Sequence, residues 1–311
     1  MTVEPPDAVE IRRRLRRRPG RRRPARARRY GLERLLYRLG RLQHANAFVL
    51  KGAMLFHLWS EELHRPTRDL DLLGSGESSV ARLEGVFRKI CAVEVKNDGL
   101  RFDAAAVRGA VIREGQHYEG MRIRFQALLG ETRIPIHVDI GFGVAITPAA
   151  HTVEYPTLLD LPPPVVRVYP VETVVAEKYE AIVDLGSTNS RMKDFYDLWM
   201  LARTMAFDGE TLSKAIRETF ARRQTALPAE APIGLTAAWA GDKQVADYWQ
   251  GFLERSELHG KAPGLGTVLV GLREFLLPPI AALLAGASFA MWWPAGGSWR
   301  ERAGDEGFPG Q

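Results

Sequence analysis

Read from its first sustained periodicity, the chain alternates between helical and extended patterns. Leu32, Leu35, Leu36 and Leu39 recur at helical spacing, with Glu33, Arg34, Arg38 and Arg41 between them. The apolar run 47–50 predicts a short buried strand that ends at Gly52, and residues 53–59 predict a helix leaving that turn. Residues 67–73 alternate as a strand does and stop at the Gly74–Gly76 turn. A helix is predicted over 80–90, followed by extended segments at 94–96, 106–113, 121–128 and 134–140. Strands so closely spaced predict a mixed or antiparallel sheet flanked by helices, an α+β arrangement.

Beyond the three prolines at 162–164 the pattern is mainly helical. Helices are predicted over 171–185, 190–205, 211–223, 243–254 and 265–277. The proline run marks a boundary: a catalytic domain over 31–164, then a mainly helical domain over 165–311. No charged residue occurs from Phe275 to Trp299. Pro278, Pro279, Gly286, Pro294, Gly296 and Gly297 suit a lipid-exposed helix poorly, so a packed C-terminal extension is expected and no membrane partner.

Composition refines this picture. The chain has 311 residues, 46% of them hydrophobic, enough to bury a full core. Cys91 is the single cysteine, which excludes an internal disulfide framework and a cysteine-rich zinc site and suggests a reducing, cytoplasmic setting. No apolar signal-peptide core is evident at the start. The net charge is +6, but twelve arginines crowd into 12–29. Set against Glu4, Asp7 and Glu10 they give residues 1–30 a charge of +9 and leave the other 281 residues at −3. A self-repelling arginine block broken by Pro19, Gly20 and Pro24 predicts a disordered tail over 1–30, either merely solvated or able to contact nucleic-acid phosphates.

The candidate chemistry lies in the strands. Asp69 and Asp71 are two apart in an extended run, so both carboxylates face one way, roughly 7 Å apart. Like charges so placed repel unless a cation lies between them, and magnesium suits that role; a strand end with solvated aspartates is the plainer alternative. The Gly52 turn ahead of them could offer backbone N–H groups of Lys51, Gly52 and Ala53 to a phosphate. Asp139 is a third acid in an apolar strand, where a lone aspartate is usually paired or metal-bound. Three converging strand acids would form a two-metal phosphoryl-transfer platform. None of the seven histidines has metal-ligand spacing, and neither a P-loop nor a dinucleotide-binding glycine pattern occurs.

In order, the segments FVLKGAMLF (Phe48–Phe56), RPTRDLDLL (Arg65–Leu73), VDIGFG (Val138–Gly143), YPVETVVAEK (Tyr169–Lys178) and RMKDFYDL (Arg191–Leu198) resemble the AbiEii/AbiGii nucleotidyltransferase toxin family. The resemblance implies a DNA-polymerase-β-like nucleotidyltransferase fold and a toxin of type IV toxin–antitoxin or abortive-infection systems. It implies metal binding by Asp69 and Asp71 with Asp139 as third acid, completed by Lys178 and Asp194, with Asp197 beside them. The implied cofactor is magnesium, or manganese in its place, with an NTP as substrate. The implied acceptor is a tRNA 3′ end, and the implied partner a separately encoded antitoxin. Many relatives follow the turn glycine with Gly or Ser; here Ala53 stands there, which leaves Thr67 as the candidate phosphate-binding hydroxyl. Transfer to a protein or to a small molecule such as an aminoglycoside, and non-catalytic nucleic-acid binding through the arginine tail, are the competing readings.

Overall fold

The computed structural model describes residues 7–17, 23–43, 45–59, 65, 67–95, 98–114 and 118–302. They divide into two compact units, one of residues 1–144 and 150–169, the other of 145–149 and 170–311. The first unit's chain therefore continues past the proline run to Tyr169.

The first unit opens with helices α1 (Ala8–Arg17) and α2 (Arg23–Leu39). Strand β1 (Phe48–Lys51) passes through a 3-10 turn (Gly52–Leu55) into the short α3 (Phe56–Trp59), and β2 (Leu70–Gly74) leads to α4 (Val80–Cys91). Strands β3 (Leu100–Phe102), β4 (Arg108–Glu114), β5 (Tyr118–Leu129), β6 (Thr132–Phe142), β7 (His151–Glu154) and β8 (Val165–Val168) complete it. Among the described residues eight strands form one sheet in the order β3-β5-β6-β2-β1-β8-β7, with β4 also pairing with β5. Its pairings are mixed: β2 runs parallel to β6 and β1 to β8, the rest antiparallel. The fold is thus the expected α+β type.

One face of this sheet is covered. Ile123, Phe125, Ile134, Ile136, Val138, Leu70 and Leu72 are all buried, and α2 and α4 pack over them. Rings bridge the layers, with Phe87 of α4 lying 6.2 Å from both Phe48 and Phe125. The polar side expected of α2 is itself inside the protein. Arg34 and Arg38 ion-pair with the buried Asp98 at 3.0 and 2.7 Å, and Glu33 pairs with Arg29 at 2.7 Å while accepting from the Leu158 N–H. Burial is the larger influence on Glu33 and raises its pKa despite Arg29.

The N-terminal arginine block contains structure where its composition predicted none. Helix α1 forms because Ile11 and Leu15, one turn apart, are buried and anchor the arginine-rich turns between them. Asp7 supports its start by accepting from the Glu10 N–H at 2.8 Å. Residues 1–6 and 18–22 of the predicted tail lie outside the described residues.

The second unit is mainly helical: α5 (Val171–Leu185), α6 (Met192–Thr204), α7 (Gly209–Arg223), α8 (Ala237–Ala240), α9 (Lys243–Arg255) and α10 (Leu265–Leu284). Short strands β9 (Phe207–Asp208), β10 (Met291–Trp293) and β11 (Arg300–Glu301) make a small sheet. Helix α10 passes through Pro278 and Pro279 instead of stopping before them. Prolines remove N–H donors from the helical ladder, but buried Phe275, Leu276, Pro279 and Ile280 hold the helix on its packed side. By length and composition α10 could cross a membrane. In the second unit its Phe275 lies among Phe207, Trp293 and Trp299, at 4.9, 4.9 and 5.9 Å between ring centroids.

Candidate active site

Strand register sets the first cluster. Lys51 of β1 is opposite Asp71 of β2, Asp71 is opposite Asp139 of β6, and Asp139 is opposite Arg122 of β5. Residues opposite one another share a face, so four charged side chains cross the sheet as one row, cation–anion–anion–cation. The alternation along β2 and β6 puts Leu70, Leu72, Val138 and Ile140 into the core and turns the two aspartates to the other side. Lys51 follows the same side: its Nζ lies 3.9 Å from where a Cβ on Gly141 would be, and 5.6 Å from the Tyr169 ring centroid.

Asp71 rests directly on the Gly52 turn. A Cβ built on Gly52 would lie 2.0 Å from Asp71 Oδ2, and Gly52 has φ +71°, in the left-handed region. Only glycine meets both conditions without strain. The residues on either side of the turn contribute differently. Ala53 is buried, while Thr67 donates its hydroxyl to the Asp69 carbonyl at 2.8 Å. The Thr67 O–H therefore shapes the loop that presents Asp69.

Asp139 is nearly buried, and Arg122 grips it through two nitrogens at 2.6 and 2.5 Å. That two-pronged hydrogen bond, with smaller help from Asp69 and Asp71, raises the Arg122 pKa and fixes its charge. Asp69 sits just before β2, a third exposed, with its Oδ1 3.2 Å from His137 Nδ1. The structure thus brings Asp71 and Asp139 side by side and sets Asp69 one step away beside His137. Among the described residues no three acids, histidines or cysteines converge as a ready metal cage. Asp69 and Asp71 still suit magnesium, which is commonly held by one or two carboxylates together with substrate phosphates.

A second cluster lies wholly within the helical unit. Lys178 of α5 donates to Asp194 and Asp197 of α6 at 2.7 Å each, and Arg191 lies 2.8 Å from the other Asp194 oxygen. Asp194 and Asp197 are buried. Burial alone would raise the Asp194 pKa, but Lys178, Arg191 and Lys193 together outweigh it and hold the carboxyl below its ordinary range. The spacing of the KDxxD segment explains the geometry: residues three apart on a helix share a face, so one lysine meets both.

A family profile for the nucleotidyl transferase AbiEii toxin of type IV toxin–antitoxin systems matches residues 34–270. The chain belongs to the AbiEii family. It is therefore a nucleotidyltransferase, and its family implies a cognate antitoxin. Every charged residue of the two clusters falls within the matched span. The chain is also similar to a solved structure from H. pylori described as a candidate nucleotidyltransferase, at 14% identity and a TM-score of 0.46, covering 82% of this chain and 95% of that one. A structure of JHP933 from Helicobacter pylori aligns at 15% identity and a TM-score of 0.44, over 86% of this chain and 99% of that one. No curated protein matches the chain.

Arg122 is the site residue that sequence reasoning missed. The β5–β6 hairpin turns at Gly130, with Leu129 opposite Thr132. Counting back along both strands from that turn places Arg122 opposite Asp139, so the pairing was available from the turn position.

Proposed function

We propose that this AbiEii-family enzyme transfers a nucleotide from an NTP to a hydroxyl of a macromolecule, the tRNA 3′ end being the acceptor favoured by the family resemblance. The observation that carries the reading is the Lys51–Asp71–Asp139–Arg122 row set against the Gly52 turn, in a chain that belongs to a nucleotidyltransferase family. In the reaction the acceptor oxygen bonds to the α-phosphorus, the bond from that phosphorus to the bridging oxygen breaks, and pyrophosphate leaves as the hydroxyl proton is lost to base.

Asp69 and Asp71 are the residues that would hold magnesium or manganese. When bound, the metal supplies positive charge against the phosphate oxygens and the leaving group. The chain's own groups have separate tasks. Lys51, at the mouth of the Gly52 turn, offers a cation to the triphosphate, and the Lys51–Ala53 backbone lines its approach. Thr67 holds the Asp69 loop in place. Lys178, in the helical unit, is proposed as a further triphosphate-binding cation, oriented by Asp194 and Asp197. Asp139 acts as the third acid, with its oxygens fixed by Arg122. The proposed setting is the bacterial cytoplasm, where the activity would block translation until an antitoxin opposes it.

Incubating the protein with each α-labelled NTP, magnesium and total bacterial RNA tests this, with Asp71→Ala in parallel. Label in tRNA with the wild type alone is the expected result. Label in protein instead would keep the chemistry and replace the acceptor. Absence of both transfer and magnesium-dependent NTP binding would overturn the reading.

A further inference from the structure

The sheet face that carries Asp71 and Asp139 continues past them, and its character changes to basic. One register step beyond Arg122 and Asp139, Arg108 of β4 lies opposite Arg124 of β5, which lies opposite His137 of β6. Four residues farther along β5, Leu128 lies between Arg101 of β3 and Arg133 of β6. Arg101, Arg108, Arg124 and Arg133 are all exposed, whereas their immediate neighbours Phe102, Val107, Ile123, Phe125 and Ile134 are buried on the covered side. The acids near this stretch have other places: Asp103 caps the turn at Ala105 and Ala106, and Glu131 sits in the hairpin turn.

The far end of the sheet, at the Gly99 and Gly130 turns, meets the arginine helix, which packs on α2. A Cβ on Gly99, next to β3, would lie 3.0 Å from Ala8 Cα, and one on Gly130 would lie 3.5 Å from the Arg12 guanidinium carbon. Arg13, Arg16 and Arg17 of α1 are exposed there. From Asp139 to Arg133 is six residues of strand, roughly 20 Å. Basic side chains therefore extend from the aspartates to the end of the sheet that α1 abuts, in a chain whose residues beyond 30 are net −3. Overall basicity does not account for such a concentration.

We propose that this open sheet face is the track on which an RNA acceptor's phosphate backbone lies, leading its reacting end to Asp69 and Asp71; the proposal rests on the nucleotidyltransferase reading above. Its chemistry fits a polyanion: spaced guanidiniums that bond phosphate oxygens. Among the described residues the large apolar side chains exposed in the sheet, Val111 and Val165, lie outside it and α1 adds only Val9, so a membrane surface finds little to bind. Among the described residues no Phe, Tyr or Trp belongs to the row, so the contact is to the backbone and tolerates sequence. Arg108 and Arg124 lie nearest the aspartates and carry the greatest weight; Arg101 and Arg133 extend the grip.

Binding of a short fluorescent single-stranded RNA of mixed sequence, with bulk bacterial tRNA as competitor, tests this across a salt series. For Arg108→Ala/Arg124→Ala the slope of log affinity against log salt becomes shallower by about 1.4, and affinity at low salt falls about tenfold. Arg108→Lys/Arg124→Lys keeps the point charges and stays within about twofold of wild type. Wild-type affinity and slope in the alanine pair would overturn the track, as would a wild-type protein that binds magnesium–NTP but no RNA. RNA bound through these arginines without any NTP binding would support the track and instead sink the transferase reading. Thermal melting of both pairs keeps folding out of the comparison, since Arg108 also donates to the Ala105 and Val107 carbonyls; an Arg124→Ala single variant, whose side chain is exposed, should show the same direction of loss at about half the slope change.

Discussion

The two charged clusters of this protein are built in opposite ways. On the sheet, Lys51, Asp71, Asp139 and Arg122 sit on four neighbouring strands, and Asp69 and His137 beside them are a third or more exposed. In the helical unit, Lys178, Asp194 and Asp197 sit on two helices, and the carboxylates retain 2% or less of their exposure. The first is held by backbone register and, apart from the nearly buried Asp139 that Arg122 grips, stays open, an arrangement that tolerates a change of charge at Asp69 or Asp71 because water can solvate what remains. The second is held by its own ion pairs and is closed, so its stability depends on every member. The contrast predicts that losing a sheet carboxylate such as Asp71 should silence the reaction at little cost to the fold, whereas losing Lys178 should weaken the fold as well as the triphosphate binding proposed for it.

The sharpest test exchanges the two outcomes. Asp71→Asn keeps shape and removes charge; nucleotide transfer should fall by about a thousandfold or more, equivalent to about 4 kcal/mol of barrier. Urea unfolding should move little. Lys178→Met should do the reverse to stability, costing about 3–5 kcal/mol because two buried carboxylates lose their shared partner. Replacing Asp194 and Asp197 by Asn in the same chain should restore much of that loss. If Asp71→Asn unfolds the protein while Lys178→Met leaves the unfolding midpoint in place, the contrast is wrong.

Gly52→Ala probes how the sheet cluster depends on its turn. The new methyl group would meet Asp71 Oδ2 at 2.0 Å on a backbone with φ +71°. Stability should fall by about 1–3 kcal/mol, and the displaced Asp71 should lose magnesium-dependent NTP binding. Calorimetric NTP titration of the refolded variant checks this; wild-type affinity would show that Asp71 does not need its present position.

How much of this was legible beforehand follows the same division. The 48–56 strand–Gly–helix run and the alternation at 67–73 were readable because local periodicity fixes which side each residue takes. Helix 171–185 was readable for the same reason and matches α5. Neighbours across the sheet were not readable from periodicity: Arg122 and Arg124 alternate with apolar residues as any solvent face does, and only pairing gives Arg122 its aspartate. Helix α2 misled in a different way. Its arginines look like a wet face, yet Asp98, 60 residues from Arg38, makes burial tolerable. Strand β8 escaped notice because four residues after a proline run carry too little periodicity. At α1 the arginine block over 12–29 obscured the pair that matters, Ile11 and Leu15.

The smallest expected effect tests the edge of the buried cluster. Arg191 pairs with Asp194 but is about half exposed, so solvent screening limits the pair to about 0.5 kcal/mol. Asp194 has a folded-state pKa below its ordinary 3.8, where burial opposes and Lys178, Arg191 and Lys193 prevail. A carboxyl depressed in this way stabilises the fold fully above its unfolded pKa, and the contribution disappears as pH falls through the folded value. Arg191→Ala should raise that folded value towards the ordinary one. The stability gap between wild type and variant should then be steady above the ordinary carboxylate range and close only as the pH falls through the depressed wild-type value, below which both carboxyls are protonated. Denaturant midpoints measured across that range decide it. A gap that persists undiminished into strong acid would mean that Arg191 acts through packing, leaving Lys178 as the main cation holding Asp194 in its charged form.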